Sequence, residues 1–322
     1  MTREDAVSFG VCHGRALDTL LANPVGGADH LVQLARALDM RSEGPHDRCV
    51  IFEVSFDRVA HLIRVPVTLC GDRYRFLVDT GIGVTVVSSA VATRPDVHPI
   101  GETFAAQRMS GQVIEAPLVQ LPSLELGGYQ VAGHIAVVAD LGEVDGEHGF
   151  AGILGPGFFE HHVVTTAPQA MTLTVQQSAT FGEDGFQIPL EIRRHGPSLD
   201  PFAALILPSG REILVEVDTG SDSLILDTRF MADCGVQADS AAVTTKTGED
   251  ETGYQWTRHW ATADGEVYLA AAPRTAQAQP RVMFQDIVHD GLVGADYLER
   301  YRMSFDVSGC RMILSPQPSP LR

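Results

Sequence analysis

The chain has 322 residues, 44% of them apolar, with 41 acidic against 23 basic side chains and a formal charge of −18. That length exceeds the ~100–150 residues of a common single domain and fits two units plus an extension. The negative field disfavours phosphate backbones and anionic lipid, so neither nucleic acid nor a membrane is expected as partner, while the oligomeric state stays open.

The N-terminus, MTREDAVSFGVCHGR, is charged and lacks the ~7–15-residue apolar core of a secretory signal, which predicts a cytoplasmic protein. Leu17, Leu20 and Leu21 recur at helical spacing, Asn23-Pro24 interrupts, and Leu31, Leu34, Ala35 and Leu38 resume. Residues 1–55 therefore read as a short helical N-terminal extension. Beyond it the pattern is mostly strand. RYRFLVDTG (73–81) runs a hydrophobic strand into Asp-Thr-Gly, and LVQLPSLELGGYQVAGHIAVVA (118–139) alternates β-prone runs around Gly127-Gly128 as a hairpin does. GILGPGFFEHH (152–162) follows, and FGEDG (181–185) is a turn-rich boundary.

The second part repeats the first. EILVEVDTG (212–220) again leads a strand into Asp-Thr-Gly, with Ile213, Val215 and Val217 alternating against Glu212, Leu214 and Glu216 as in a half-buried strand. GLVGADYLERY (291–301) matches GILGPGFFEHH, and helices are expected to be short and confined to the stretches after Gly155 and Gly294. Asp79 to Gly155 and Asp218 to Gly294 are both separated by 76 positions. Two motifs repeated at one spacing predict duplicated lobes, an N-terminal β lobe over 56–180 and a C-terminal one over 181–322.

Other chemistries find little support. Cys12, Cys49, Cys70, Cys234 and Cys310 are odd in number and contain no C-x-x-C pair, against a disulfide framework or thiolate metal site. His161 and His162 are adjacent and point apart, so no metal is expected. The one lysine, Lys246, lies beside Glu249, Asp250 and Glu251, a poor setting for a Schiff base. Gly81-Ile82-Gly83 lacks the third glycine of a dinucleotide loop, and Asp140 to Gly149 does not match calcium-loop spacing. No cofactor is predicted.

Two Asp-Thr-Gly turns do predict a chemistry. Facing carboxylates from two lobes cannot both ionise cheaply, so the pair keeps one proton and supplies an acid and a base together. LVDTG (77–81), VEVDTGSDSLIL (215–226), ILG (153–155), LVG (292–294) and the closing YRMSFDVSGCRMIL (301–314) resemble the pepsin-like and retropepsin-like aspartic proteases over residues ~60–315. The resemblance implies a mainly β, bilobal pepsin-like (acid protease) fold of two retropepsin-like lobes. It implies Asp79 and Asp218 as the catalytic pair, Thr80 and Thr219 as the residues locking the turns together, and Gly81, Gly220 and Ser221 as their support. Gly155 and Gly294 match the loops crossing behind the turns. It also implies substrate-covering flaps around QRMSGQVIE (107–115), with Met109, Ser110 and Gly111, and around TTKTGEDETGY (244–254), with Thr247 and Gly248.

The sequence departs from the family at Ile82-Gly83, where pepsins usually carry serine, and in the first flap, which lacks the usual tyrosine. Three functions stay open: peptide-bond hydrolysis, acid/base chemistry on a small molecule such as dehydration, isomerisation or cyclisation, and a non-catalytic peptide- or ligand-binding module.

Overall fold

The computed structural model describes residues 51–142, 144, 146–177, 185–249 and 253–317. The described chain is mainly β, in three sheets. The first-half sheet runs in the order Asp57–Val59, Leu62–Leu69, Asp72–Val78, Gly152–Leu154, Val86–Ser88, Tyr129–Ala139, Val113–Leu126 and His98–Gln107. The second-half sheet contains Ser198–Ile206, Glu212–Val217, Gly291–Val293, Leu224–Leu226, Arg281–Phe284, Gln255–Thr262 and Thr244–Glu249 in that spatial order.

The strands from Leu62–Leu69 outward thus have a counterpart, position for position, in the second half. The directions match too. The strand leading into each Asp-Thr-Gly pairs in parallel with the one before Gly155 or Gly294, and the latter pairs antiparallel with the strand after the turn.

A third, six-stranded sheet joins the halves. Its order is Ile51–Ser55, Thr172–Gln176, Val163–Ala167, Tyr301–Asp306, Arg311–Pro316 and Phe186–Pro189. Val163–Ala167 and Tyr301–Asp306 form its central seam, where the buried hydroxyls of Thr165 and Ser304 hydrogen-bond at 2.8 Å. The predicted helical extension lies outside the described residues up to position 50. Ile51–Ser55 corrects its boundary, because Phe52 and Val54 alternate inward against the core, a period of two. The predicted boundary at 181–185 also lies almost wholly outside the described residues.

The expected turns of helix are present at Pro156–Phe159 and Ala295–Leu298. Single turns also occur at Ser89–Ala92, Thr228–Phe230, Ala232–Cys234 and Pro273–Thr275, each too short to leave a 3.6-residue periodicity in the sequence. Local capping marks two of them. Ser88 Oγ accepts from Val91 N–H, and an Asp227 carboxylate oxygen accepts from Arg229 N–H.

The interior is aliphatic and aromatic, with Val65, Leu69, Phe76, Leu121, Leu124, Val215, Val217 and Phe284 at no more than 0% exposure. Each such side chain contributes ~1.5–3 kcal/mol on burial. One strand differs from its sequence pattern. Ile213, Val215 and Val217 do face the core, but Glu216 on the opposite face is also fully buried. Its register neighbours, Phe202 and Leu292, make that face a second interior rather than a solvated one.

Candidate active site

The strands Asp72–Val78 and Glu212–Val217 end on three buried residues each, held between neighbours on both sides. The next residue is Asp79 in one half and Asp218 in the other. Each is fixed at the backbone by a bond to the parallel neighbour, Asp79 N–H to Leu154 O and Asp218 N–H to Val293 O, both 3.1 Å. Pairing of the central strands therefore places both carboxylates before any side-chain contact is made.

The turns then interlock. Thr80 N–H donates to Thr219 Oγ1 and Thr219 N–H to Thr80 Oγ1, both at 3.0 Å, while Thr80 Oγ1–H donates to Val217 O at 2.6 Å. The two glycines are required by contact. A Cβ on Gly81 would lie 2.4 Å from Asp218 Cγ, and one on Gly220 would lie 2.2 Å from Asp79 Oδ2. Neither glycine has a positive φ, so close approach of the opposite carboxylate, not a left-handed turn, excludes a side chain here.

Asp79 and Asp218 are 7% and 3% exposed, which means that little water reaches either carboxyl. Burial, followed by the negative charge of Asp218, raises the Asp79 pKa well above the ordinary carboxylate range. Burial raises Asp218 as well, but the hydrogen bond from Asp79, the Gly220 and Ser221 N–H groups and nearby His61 all favour its ionised form. Both carboxyls accept from backbone N–H groups of the turns. Asp218 Oδ1 accepts from Gly220 at 2.8 Å and Ser221 at 3.1 Å, whereas Asp79 Oδ1 accepts from Gly81 at 2.8 Å. The hydrogen bond between the two carboxyls therefore favours the ionised form at Asp218 and the protonated form at Asp79.

The first predicted flap crosses to the other half. The tip of the hairpin formed by His98–Gln107 and Val113–Leu126 buries Met109 among Ile225, Met283, Ile287 and Leu292, with Trp260 packed alongside. Met109 O accepts from Val288 N–H at 3.0 Å, and Gly111, at φ +87°, leaves 3.3 Å between its missing Cβ and Val288. Ser110 stays within the turn, donating to Gln112 Oε1 at 3.3 Å. Thr247 and Gly248 instead lie on the strand Thr244–Glu249, paired with Thr257 and Trp256. Residues 250–252 beyond them lie outside the described residues. A Cβ on Gly248 would lie 2.3 Å from the Trp256 ring, so that glycine serves packing within the hairpin.

Three further contacts escaped the sequence reading. His61 Nε2 lies 2.9 Å from Gly220 O. Asp200, fully buried, accepts from Ser198 Oγ at 3.0 Å, and both side chains fill the space a Cβ on Gly83 would need. Burial pushes the Asp200 pKa up to about 7. Behind the first turn, the Thr85 hydroxyl lies 2.8 Å from His134 Nε2 and accepts from Gly155 N–H at 3.3 Å. Burial lowers His134 to about 4, which keeps it neutral. Only Ile82-Gly83 marked any of this in the sequence, as a departure from the usual serine.

With that geometry in place, a comparison with protein families adds a finding over part of the chain. Residues 65–158 match the family described as aspartyl protease. The match covers the first turn, its hairpin and the Gly155 loop, and it supports a peptidase-type hydrolase. A comparison with curated proteins found no match. Among the described residues no helix is long and apolar enough to cross a membrane.

Proposed function

We propose that the chain is an aspartic hydrolase in which two duplicated, retropepsin-like lobes in a pepsin-like arrangement cleave peptide bonds between Asp79 and Asp218. The observation that carries this reading is the pair of buried carboxyls on cross-bonded turns, with hydrogen bonding that favours one proton on Asp79. Asp218, as the charged member, takes a proton from a water that attacks the scissile carbonyl. Asp79 donates its proton to the carbonyl oxygen, giving a neutral tetrahedral diol. Collapse returns a proton to the leaving nitrogen. Rigid turns hold both groups ready, so little reorganisation is needed at the moment of reaction.

The duplication is supported by the matched strand order of the two sheets. A cytoplasmic setting belongs to the same proposal, supported by Cys70, Cys234 and Cys310 being free thiols, as a reducing compartment keeps them.

A second reading has one observation in its favour. The contact of Met109 with Val288 and the apolar cluster ties the tip of the first hairpin to the second half, a bridge that suits acid/base chemistry on a small molecule better than an extended chain. Calorimetric titration with statine-type peptides and their matching amides near pH 5 and pH 7 separates the two. A hydroxyl between the aspartates mimics water addition, so statine peptides are expected to bind at least about 100-fold more tightly than the amides. No binding across the panel, together with no cleavage of a mixed peptide library, would replace peptidase by small-molecule enzyme.

A further inference from the structure

Each half sends a hydrogen bond into the turn of the other, from matched positions and with different ends. Arg64 and Phe202 pair with the residue two before each aspartate, Leu77 and Glu216, so three positions earlier His61 corresponds to Leu199. Leu199 N–H donates to Gly83 O at 3.1 Å, and the amide of that same peptide, Val84 N–H, donates to Ile82 O at 2.8 Å, back into its own turn. His61 crosses with its side chain instead. Its Nε2 lies 2.9 Å from Gly220 O, and the amide of that peptide, Ser221 N–H, donates to Asp218 Oδ1 at 3.1 Å, the shorter of its two bonds. Through one peptide plane, this crossing bond ends on a carboxylate of the dyad.

The half-buried His61 is placed by both halves. It is the second residue of the tight turn between Asp57–Val59 and Leu62–Leu69, where Val59 pairs with Leu62. Arg58 Nη1 donates to His61 O at 2.6 Å and to Glu299 Oε1 at 2.7 Å, which ties that turn to the residue after Ala295–Leu298 in the second half. A carbonyl oxygen only accepts, so Nε2 carries a proton whether the ring is neutral or cationic. Positive charge on the ring favours the ionised forms of Asp218 and Asp296, and Asp296 also stands beside Asp222 and Arg300. A donor at a peptide oxygen polarises the N–H of the same peptide and strengthens the next bond in the chain by about 10–30%.

We propose that His61 is a positioning residue for Asp218: by donating to Gly220 O it strengthens the bond from Ser221 N–H to the Asp218 carboxylate. The inference rests on the peptidase reading for the reaction that Asp218 serves. His61→Leu removes the donor at similar volume, and His61→Gln returns an N–H at about the same reach without a ring. Isotopically labelled serine in the full chain reads the peptide directly, its Ser221 amide identified by loss in Ser221→Ala. The pH profile of kcat/KM, on a peptide cleaved from the mixed library, reads the base. His61→Leu is expected to move the Ser221 amide proton upfield and to lower kcat/KM at least about threefold on the acid limb, where Asp218 must ionise, with the optimum within about twofold. His61→Gln should restore the amide and bring the acid limb back to within about twofold of wild type. His61→Asn, too short to reach Gly220 O, gives the same comparison as leucine with a polar side chain.

An amide or an acid limb that stays in place in both His61→Leu and His61→Asn, or one that His61→Gln fails to restore, overturns the role of His61 and leaves the peptidase reading standing. An amide that moves and returns as expected, with no library peptide cleaved by the wild-type chain, supports the route from His61 to Asp218 and removes the peptidase reading. An unmoved amide together with no cleavage overturns both.

Discussion

Replacing Thr80 by valine tests the interlock of the two turns, because the side chain keeps its volume and loses only the hydroxyl. That hydroxyl donates to Val217 O at 2.6 Å and accepts from Thr219 N–H at 3.0 Å, at a site 6% exposed. Each bond contributes a net ~0.5–1.5 kcal/mol, and each buried partner left unpaired costs ~1–3 kcal/mol. Allowing for partial relaxation, the expected loss is about 2–4 kcal/mol. The twin substitution is not equivalent. Thr219 is less buried, and the one short bond of its hydroxyl is the 3.0 Å contact from Thr80 N–H, so Thr219→Val should cost about 1–2 kcal/mol. Urea denaturation followed by circular dichroism gives both values. Losses within ~0.5 kcal/mol for both variants, or a larger loss at Thr219 than at Thr80, would refute the interlock as the source of rigidity here.

Two other perturbations follow from the buried carboxyls. Asp79→Asn and Asp218→Asn should each leave less than about a tenth of the wild-type turnover, with a thermal midpoint equal or higher, since removing one acid relieves the charge repulsion and abolishes the acid/base pair. Activity above that level in either variant contradicts the shared dyad. Asp200 should make the fold pH-sensitive. Its folded pKa of about 7 lies above the ordinary 3.8, so its contribution is intact below pH ~4, declines as pH rises to ~7 and levels off above, by about 4 kcal/mol in all. In Asp200→Asn that share of the decline should vanish from urea denaturation at pH 4 to 8, and an unchanged slope rules out Asp200 as its source.

What the sequence made legible was local. Asp79, Thr80, Gly81 and their repeats could be found because the turn, the threonine and the close approach of the opposite carboxylate each demand one residue type at one position. Strands such as Val113–Leu126 and Tyr129–Ala139 were likewise readable from alternation around Gly127-Gly128. The six-stranded sheet was not, since its central seam pairs Thr165 with Ser304 across 139 positions and neither strand carries a mark of its partner. Glu216 misled for a related reason. Its alternation correctly predicts which face of the strand meets the core, but alternation says nothing about whether the opposite face meets water or, as here, Phe202 and Leu292. Nor did Met109 announce that it would cross to the other half, because an apolar residue at a hairpin tip acquires meaning only from what lies opposite.

The differences between the two copies bear most directly on mechanism. Two identical turns would hold two equivalent carboxyls, and the proton would have no preferred side. Here Ser221 N–H adds a second donor to Asp218, and His61 approaches Gly220 from the other half. At the position matching Asp222, the first turn has Gly83, at φ +69°, whose missing side chain makes room for Ser198 and Asp200. Leu199 N–H then donates to Gly83 O at 3.1 Å, so this turn is braced by the other half through its backbone. In the proposed reaction that divergence assigns the roles. Asp218, whose ionised form is favoured by the hydrogen bond from Asp79, is the base, and Asp79 is the acid whose proton the substrate oxygen receives.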